Sequence, residues 1–381
     1  MKILNIAMSS CYSEGYTYQD NLLPEYQKKL GHEVSILTST ITRGKGGKVV
    51  EECEGIKELS NGIKLIRIGV GNKIFQLIGY YPSIETVIRS EAPDLIFVHG
   101  ISSLVPIQAI AYKKRHFQVT LVADNHQDER NTRVKGVPFA WLMSLWRYCW
   151  KKWIPYFSHV YGVTSWRTDF AHNQYGIPKE KLDTLIMGVD NDRLPVDREK
   201  VRKEVREKLG LSEDDFVFVS GGKFDARKRI IEAMTAFCSC TMPHIRLVLF
   251  GSVAQEIEMQ FNQFLNQDKR IKYVGYIPSA EAQRYFMASD FGLFPGSHSV
   301  LWEEAAGCGL PCIYSTFTDH DHLQVCGNCI QLAPNSDSYE ISKVIAQIVD
   351  DENYYNTLRK NATKAAPSFY YSEIAKKSIE L

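Results

Sequence analysis

The sequence predicts an α/β protein built as two domains, each with a parallel sheet covered by helices on both faces. The chain has 381 residues, which is too long for one ordinary α/β domain and suits two of about 150–200 residues each. Short apolar runs alternate with helical patterns, and this alternation starts afresh in the second half of the chain. The runs are rich in Ile, Leu and Val without strict polar alternation, which is typical of strands buried on both faces.

Each block of the chain supplies its own set of strands. In the first block, helical patterns at 21–30, 83–90 and 104–115 separate the candidate strands, and Gly31 and Gly176 fit helix ends. The charged stretch after Asp190 is typical of a linker, so we expect domains at 1–190 and 191–360. Because ligands of open parallel sheets bind at the carboxyl ends of the strands, we expect the site in a cleft between two such edges. The candidate strands are 3–8, 34–38, 63–68, 95–99, 119–123 and 160–163, then 216–219, 245–250, 271–274, 291–294 and 312–314.

Composition excludes several classes of protein. The net charge is +1, so no overall field marks a nucleic-acid-binding protein. No apolar run approaches the roughly 18–20 residues that a membrane span needs. Nine cysteines without a visible secretory signal indicate reduced thiols, and hence a cytoplasmic protein.

Four of these cysteines, Cys308, Cys312, Cys326 and Cys329, fall close together in the chain. They allow a structural zinc site. The segment between the two pairs resembles ordinary strand and loop rather than a zinc ribbon, so buried, inert thiols are the favoured interpretation.

The first candidate anion site follows the strand at 216–219. Glycines permit positive φ and let backbone N–H groups approach a ligand, and Gly222 stands at the end of this strand. Lys223 follows at once, and Lys228 stands five residues later, near the start of a predicted helix at Arg227. Positive side chains at a helix start are unfavourable unless an anion is bound there. Both lysines are therefore candidates for one anion, and a solvated basic turn is the alternative.

The second candidate anion site follows the strand at 291–294. A loop leads into a helix from about Leu301 to Cys308, and the backbone N–H groups of Ser299, Val300 and Leu301 form a ready-made phosphate site. Glu303 and Glu304 lie in the first turn of this helix. A buried carboxylate there is suited to bind a ribose diol, and compensation of the helix dipole is the alternative role.

The motifs of the two candidate anion sites resemble those of a known family, the retaining family 4 glycosyltransferases of the GT-B fold found in bacterial polysaccharide biosynthesis. Gly222-Lys223-x4-Lys228 is similar to the family's Gly-Arg-x4-Lys, and the run from Glu304 to Pro311 resembles its Glu-Ala-x-Ala-x-Gly-x-Pro element. The stretch beginning at Gly275-Tyr276 resembles the segment that meets the nucleotide base. Gly31-His-Glu-Val34 resembles the start of the second strand, and Gly188-Val-Asp190 resembles the hinge.

The resemblance implies two Rossmann-like domains, a helix at 361–381 returning to the first domain, and a nucleotide-diphosphate sugar as co-substrate. It implies that Lys223 and Lys228 neutralise the donor diphosphate, that Glu304 binds the ribose and that His126 contacts the donor sugar or the reacting centre. Further donor contacts are implied at Gly15, Gly222, Tyr276, Ser299, Val300 and Leu301.

One departure concerns the first carboxylate of the family's Glu-x7-Glu pattern, which contacts the donor sugar. Gly296 occupies its position here, and His298 or a nearby serine is the candidate replacement. Lys223 also keeps the charge of the family's Arg but loses its bidentate fork.

The expected reaction is metal-independent hexosyl transfer to a glycan or lipid-linked acceptor. Negative charge builds on the leaving diphosphate, which lysines and backbone N–H groups are able to stabilise without a cofactor or metal. A non-catalytic nucleotide-sugar-binding protein and a nucleotide-sugar epimerase remain alternatives. An epimerase needs acid and base carboxylates, and none stands at matching positions.

Residues 137–157 leave a choice about the membrane. Aromatic and basic residues on an amphipathic helix favour contact with the inner face of a membrane, whereas a helix packed on the first sheet is the preferred interpretation. The residues concerned are Trp141, Trp146, Trp150, Trp153, Arg147, Lys151 and Lys152.

Overall fold

The structure is a computed structural model that describes residues 1–8, 12–43, 48–71, 79–132, 134–317 and 321–380. The chain divides into two compact units. The first consists of Met1–Ile186 together with Ile374–Leu381, and the second consists of Met187–Glu373.

The first unit contains an eight-stranded sheet in the order β10-β9-β8-β7-β1-β2-β6-β5. Neighbouring strands are parallel except β5, which pairs antiparallel with β6 at one edge. β3 and β4 form a separate antiparallel pair. The strands are β1 (Lys2–Ala7), β2 (Glu33–Ser39), β3 (Ile41–Arg43), β4 (Val49–Glu51), β5 (Gly55–Glu58), β6 (Lys64–Ile68), β7 (Leu95–His99), β8 (Thr120–Asn125), β9 (His159–Gly162) and β10 (Leu182–Thr184).

Helices cover this sheet and have recognisable ends. The side chain of Thr164 accepts a hydrogen bond from the Arg167 N–H at one helix start, and Gly176 ends the same helix in the left-handed region, as a cap and a C-terminal glycine do. The helices are α1 (Gln19–Lys29), α2 (Ile84–Glu91), α3 (Val105–Lys113), α4 (Gly136–Trp153) and α5 (Ser165–Tyr175). In the described part of the chain, no helix is long and apolar enough to span a bilayer.

Helix α4 contributes three large aromatic side chains to the core of the first unit. Trp146, Trp150 and Trp153 are buried there, and the Trp150 indole N–H donates to the Ile101 carbonyl at 3.1 Å. Trp141 is 79% exposed instead. The packed-helix interpretation therefore holds for one face of α4, and the membrane interpretation was wrong for the three buried tryptophans.

The second unit contains a six-stranded sheet in the order β13-β12-β11-β14-β15-β16, with every neighbouring pair parallel. Apolar side chains fill both of its faces, since Phe218 and Leu247 on one face and Val219 and Val248 on the other are at most 1% exposed. Both main sheets thus confirm the predicted α/β class. The strands are β11 (Phe216–Phe224), β12 (Ile245–Val253), β13 (Ile271–Tyr273), β14 (Phe291–Phe294), β15 (Cys312–Ser315) and β16 (Cys329–Leu332).

The helices of the second unit begin after the charged linker. Asp197 caps the first, and Gly210 ends it. They are α6 (Arg198–Leu209), α7 (Ile230–Ser239), α8 (Gln255–Gln267), α9 (Ser279–Ala288), α10 (Leu301–Gly307), α11 (Ser338–Asp350), α12 (Glu352–Ala365) and α13 (Tyr371–Lys377), whose last turn belongs to the first unit.

The helix predicted to start near Arg227 begins three residues later. Ala226–Lys228 form a single 3₁₀ turn, in which the Asp225 side chain accepts from the Arg227 N–H. Arg229 then takes a left-handed conformation with φ of 53°, which interrupts helical hydrogen bonding before α7 begins. The basic turn is therefore a separate structure between strand and helix.

Candidate functional site

The carboxyl end of β11 lies against β12 through glycines. A Cβ at Gly221 would lie 2.1 Å from the Phe250 ring, and one at Gly251 would lie 1.8 Å from the Gly222 carbonyl oxygen. Gly222 and Gly251 are register partners and have φ of 124° and 123°, a region that side chains rarely adopt. Glycine is thus required here for backbone contact between the two strand ends.

Gly222 also lies close to the second predicted anion site. A Cβ built on it would be 3.5 Å from the Leu301 Cδ1 and 4.0 Å from the Ser299 Oγ. Across the part of the chain that the structure describes, the N–H groups of Ser299, Val300 and Leu301 donate to no protein acceptor. Three uncommitted donors beside a glycine turn form a surface suited to an anion.

The Lys228 ammonium group is directed to the same loop. Its Nζ donates to the carbonyl oxygens of Ser297 and His298, both at 2.7 Å. Burial lowers the pKa of Lys228 to about 8, against the opposing effect of the Asp225 carboxylate. An ammonium group has three N–H donors, so one remains for an anion.

Lys223 differs from Lys228 in its surroundings. Its side chain is exposed, and no described residue pairs with it. The structure therefore brings Lys228, His298, Ser299, Leu301 and Gly222 together, while Lys223 is exposed at the strand end and has no described partner.

Tyr276 follows the same glycine cluster. The Gly275 carbonyl accepts from the Gly251 N–H at 2.8 Å, and Gly275 has φ of 76°. Tyr276 itself is 80% exposed. The backbone next to Tyr276 is thus hydrogen-bonded to Gly251, which is the register partner of Gly222.

The backbone at Gly296 packs directly on the basic turn. A Cβ there would lie 2.3 Å from the carbonyl carbon and oxygen of Lys228 and 2.4 Å from the Arg227 oxygen. The Ser297 N–H donates to that Arg227 oxygen at 2.8 Å. The position of the family's first carboxylate is therefore filled by main chain and has no room for a side chain.

We predict that Gly296→Ala lowers the free energy of unfolding by about 2–3 kcal/mol, because the added methyl forces the loop away from the turn. Denaturant melts provide the measurement. Gly210→Ala is the control, since its Cβ would meet nothing within 4 Å and only the left-handed conformation costs about 1 kcal/mol. Equal losses in the two variants would contradict the steric explanation.

His298 is paired with Glu303, the first of the two consecutive carboxylates in α10. Its Nε2 lies 2.8 and 3.0 Å from the two oxygens of Glu303, and the Nε2 of His322 lies 2.9 Å from Glu303 Oε1. Burial alone raises the pKa of Glu303, but the two histidines outweigh it and bring that pKa to about 2. His298, proposed as a replacement for the missing carboxylate, instead binds Glu303.

Glu304 has a contrasting environment. Its side chain is buried, and within the described chain no group forms a hydrogen bond with its carboxyl. Burial and the neighbouring Glu303 charge raise its pKa to about 8. At neutral pH it is therefore a protonated carboxyl, able both to donate to and to accept from a pair of hydroxyls.

We predict that stability linked to Glu304 falls as pH rises. The folded state keeps a proton that the unfolded chain, with the ordinary pKa of 4.5, releases. Between pH 5 and pH 8 this costs wild type about 3 kcal/mol relative to Glu304→Gln. Denaturant melts of both proteins across that range test it. A difference between the two proteins that does not change with pH would refute the raised pKa.

In the first unit, His126 is held by a buried carboxylate. His126 Nε2 lies 3.2 Å from Asp124 Oδ1, with the imidazole 40% exposed and Asp124 fully buried. Asp124 Oδ2 lies 2.8 Å from His99 Nδ1, and the Gly100 N–H donates to Oδ1 at 2.8 Å. The partner His99 Nε2 lies 3.3 Å from Asn5 Oδ1.

The neighbouring charges in this cluster favour the ionised forms of Asp124 and His99. Burial would raise the pKa of Asp124, but His126 and His99 outweigh it and hold that pKa well below the usual range. Burial would likewise lower the pKa of His99, yet Asp124 and the nearby Asp20 raise it overall. The arrangement fixes the exposed His126 ring against a buried, charged pair.

His99, Asn5 and Asp20 were missed by the sequence analysis. The sequence offered one signal, which is that His99 stands at the end of a predicted strand. In the structure His99 and Asp124 are register partners in β7 and β8, so the two strand ends place them side by side. The predicted Gly15 lies in the turn between β1 and α1 with φ of 80°, as a strand-to-helix loop glycine does.

Two groups in the described residues have the composition of metal ligands, His99–Asp124–His126 and His298–Glu303–His322. In both, the carboxylate is already hydrogen-bonded by the histidines. Three of the four clustered cysteines, Cys308, Cys312 and Cys329, are buried and Cys326 is exposed.

The sequence of each half matches a described family. The Glycosyltransferase Family 4 description matches residues 17–193, and the Glycosyl transferases group 1 description matches residues 201–365. Together the two descriptions cover most of the chain, which therefore belongs to the glycosyltransferases that combine a family 4 domain with a group 1 domain. No curated protein sequence matches the chain significantly.

Solved structures share the whole fold at low identity. Sucrose-phosphate synthase from Thermosynechococcus elongatus is 19% identical with a TM-score of 0.70, covering 99% of this chain and 96% of that one. HepE from Anabaena, solved with UDP, is 16% identical with a TM-score of 0.69, covering 99% and 98%. A glycosyltransferase from Rickettsia africae is 14% identical with a TM-score of 0.71, covering 100% and 97%. These likenesses define the GT-B fold, with two Rossmann-like α/β domains.

Proposed function

We propose that this glycosyltransferase transfers a hexose from a nucleoside-diphosphate sugar to a glycan or lipid-linked acceptor, with retention of configuration and without a metal ion. The observation that carries the proposal is the convergence of Gly222, the Lys228 ammonium and the unpaired N–H groups of Ser299–Leu301. These donors are suited to a diphosphate, which is the leaving group of such a donor.

Stabilisation of the leaving group is the main catalytic contribution in this proposal. Glycosyl transfer passes through an oxocarbenium-like transition state as charge builds on the departing phosphate oxygen. Preorganised N–H groups and Lys228 act on that charge without reorganisation. Lys223, exposed at the strand end, adds a second cation once the donor is bound.

Nucleotide recognition is proposed for Glu304 and the backbone at Tyr276. A protonated Glu304 carboxyl both accepts and donates, which matches two vicinal ribose hydroxyls. Backbone groups beside Tyr276 meet the base. HepE, solved with UDP and with UDP-glucose, makes uridine nucleotides the first donors to test.

The proposal also assigns roles to two residues of the first unit. His126, held by Asp124, contacts the donor sugar at the reacting centre, and the backbone at Gly15 approaches the diphosphate or the acceptor. Asp124, whose pKa is held well below its usual range, fixes the orientation of the ring through its charge.

Metal independence is part of the proposal and is open to a direct test. In both His–carboxylate groups the histidines already hydrogen-bond the carboxylate. Lysine and backbone N–H groups neutralise the charge of the diphosphate in this proposal. We expect EDTA treatment to leave the transfer rate unchanged. Loss of activity that Mg²⁺ or Mn²⁺ restores would contradict this part of the proposal.

The experiment for the donor site is a thermal-shift screen of UDP-, GDP- and ADP-sugars, followed by release of the nucleoside diphosphate. We expect at least one donor to raise Tm. Lys223→Ala should weaken that donor about tenfold or more without changing the Tm of the free protein, since a charge-assisted contact contributes about 1.5–3 kcal/mol. Lys360→Ala, at an exposed lysine of α12, is the matched control. If no donor raises Tm, the donor site is refuted.

A non-catalytic nucleotide-sugar-binding protein is the second candidate, favoured by Gly296. The main chain occupies the place of a sugar-binding carboxylate. Such a protein would be stabilised by a donor sugar but would never release the nucleoside diphosphate from it, with or without an acceptor.

A further inference from the structure

Helix α4 carries an exposed apolar face that the fold does not use. Val137, Trp141, Leu145 and Tyr148 follow each other at helical spacing and are 77%, 79%, 54% and 64% exposed. We call these four residues the α4 face. Side chains three or four positions apart lie on one side of a helix, so they form a continuous stripe.

The opposite side of the same helix already supplies the core. Met143, Trp146, Trp150 and Trp153 are buried in the first unit. The helix is therefore apolar on two sides, whereas a surface helix of a globular protein needs only one. Packing within the unit accounts for the tryptophans of the core and leaves the α4 face without a role.

The charged residues of helix α4 itself are all basic. Residues 136–153 contain no Asp or Glu, and Arg147, Lys151 and Lys152 are exposed. The Lys152 Nζ lies 5.9 Å from the centre of the Tyr148 ring. Lys114, at the end of α3, lies 5.0 Å from the centre of the Tyr156 ring, just beyond the end of α4, and adds a further cation.

Two acidic groups on the neighbouring elements, Asp128 and Glu129, have partners of their own. Asp128 pairs with Arg167 at 3.0 Å. Glu129 accepts from the Gln174 side chain at 3.3 Å. Neither carboxylate neutralises the lysines of α4 in these contacts.

We infer that the α4 face docks on an anionic lipid surface, with the four side chains at the headgroup boundary and the basic groups on lipid phosphates. An exposed tryptophan and tyrosine beside lysines on a helix without acidic residues match the chemistry of an interfacial helix. A second protein with the same surface would be repelled by it, since both copies carry the same charge. The inference goes beyond the proposed function and does not depend on the donor site.

The test is co-sedimentation of the full chain with vesicles of phosphatidylglycerol and phosphatidylcholine in equal amounts, compared with phosphatidylcholine alone. We expect binding to the anionic vesicles that weakens with added salt. Trp141→Ser with Leu145→Ser should weaken binding about tenfold or more, because less apolar surface is buried. Lys151→Gln with Lys152→Gln should weaken binding to a similar degree and reduce the salt dependence.

Met259→Ser is the matched control, because Met259 is 83% exposed on α8 of the second unit and should leave vesicle binding unchanged. Trp141 gives a second readout, since the other five tryptophans are buried. Its fluorescence should shift to shorter wavelength on vesicles, and Trp141→Phe should abolish the shift while binding persists.

Equal binding to neutral vesicles, or wild-type binding by the Trp141→Ser, Leu145→Ser variant, would overturn the inference. So would self-association in solution that the same variant abolishes, because the face would then bind a second copy of the chain. A normal Tm of the free protein establishes that each variant is folded without reference to donor binding, so failure here is separable from failure of the proposed function.

Discussion

Lys228→Ala is expected to lower kcat/KM for release of the nucleoside diphosphate by about 100- to 1,000-fold, the range typical for loss of one preorganised transition-state donor. The ammonium group donates to the carbonyls of Ser297 and His298, the two residues that directly precede the candidate N–H donors. The substitution removes a positive charge and also releases the loop that bears the N–H donors. We expect Tm to fall as well, since the hydrogen bonds to a charged group contribute about 1.5–3 kcal/mol each.

The Lys228→Arg variant keeps the positive charge of the side chain and removes its titration near pH 8. The pKa of Lys228 is about 8, and a bound diphosphate favours the charged ammonium and raises that pKa. Nucleoside diphosphate affinity in wild type should therefore fall as pH rises through 8, whereas the arginine variant should show no such fall. Titration calorimetry from pH 7 to pH 9 measures this. Parallel profiles would exclude Lys228 from the anion site.

Asp124→Asn is expected to lower kcat by about 100-fold or more, because His126 loses the charge that holds and orients its ring. Asp124 also bridges to the buried His99. Breaking a buried ion pair by removing one partner costs about 3–5 kcal/mol, so the variant should melt earlier. Initial rates and denaturant melts of the same preparation give both quantities.

The pH dependence of this loss has a defined window. The lowered pKa of Asp124 gives stability that is present above its ordinary 3.8 and lost as pH falls through the folded value. The raised pKa of His99 gives stability that is present below its ordinary 6.5 and lost as pH rises through the folded value. The stability difference between wild type and variant should therefore be largest from pH 3.8 to pH 6.5.

Asp183→Asn is the control for this variant. Asp183 lies on β10 of the same sheet, is 48% exposed and pairs with Lys377. It should change neither kcat nor stability appreciably, as is usual for surface ion pairs. A purely structural role for Asp124 would instead lower stability and leave kcat of the folded fraction intact.

The parallel sheets were predictable because their strands are apolar on both faces. Runs such as 95–99 and 245–250 leave no polar side to face water, which only a strand covered by two helix layers allows. Edge strands escaped prediction for the opposite reason. β5 is exposed along its length, and its residues carry no period that distinguishes a strand from a loop.

The site was predictable where chemistry is local in sequence and not where it depends on packing. Gly222, Ser299 and Leu301 stand at strand ends and a helix start, which parallel sheets place on one edge. The contact of Gly296 with Lys228, by contrast, joins two backbones far apart in the chain and has no residue signature. The role of His99 required the strand order, since only the pairing of β7 with β8 brings it to Asp124.

The close contact at Gly296 limits how this enzyme's sugar preference is altered. An engineer who wants the family's acidic residue at this site has no side-chain exchange available, because main-chain atoms of Arg227 and Lys228 already fill the volume. A length change in the 226–229 turn has to come first, and only then does a glutamate have space. Libraries that vary both segments together should therefore yield active variants that single-site libraries miss.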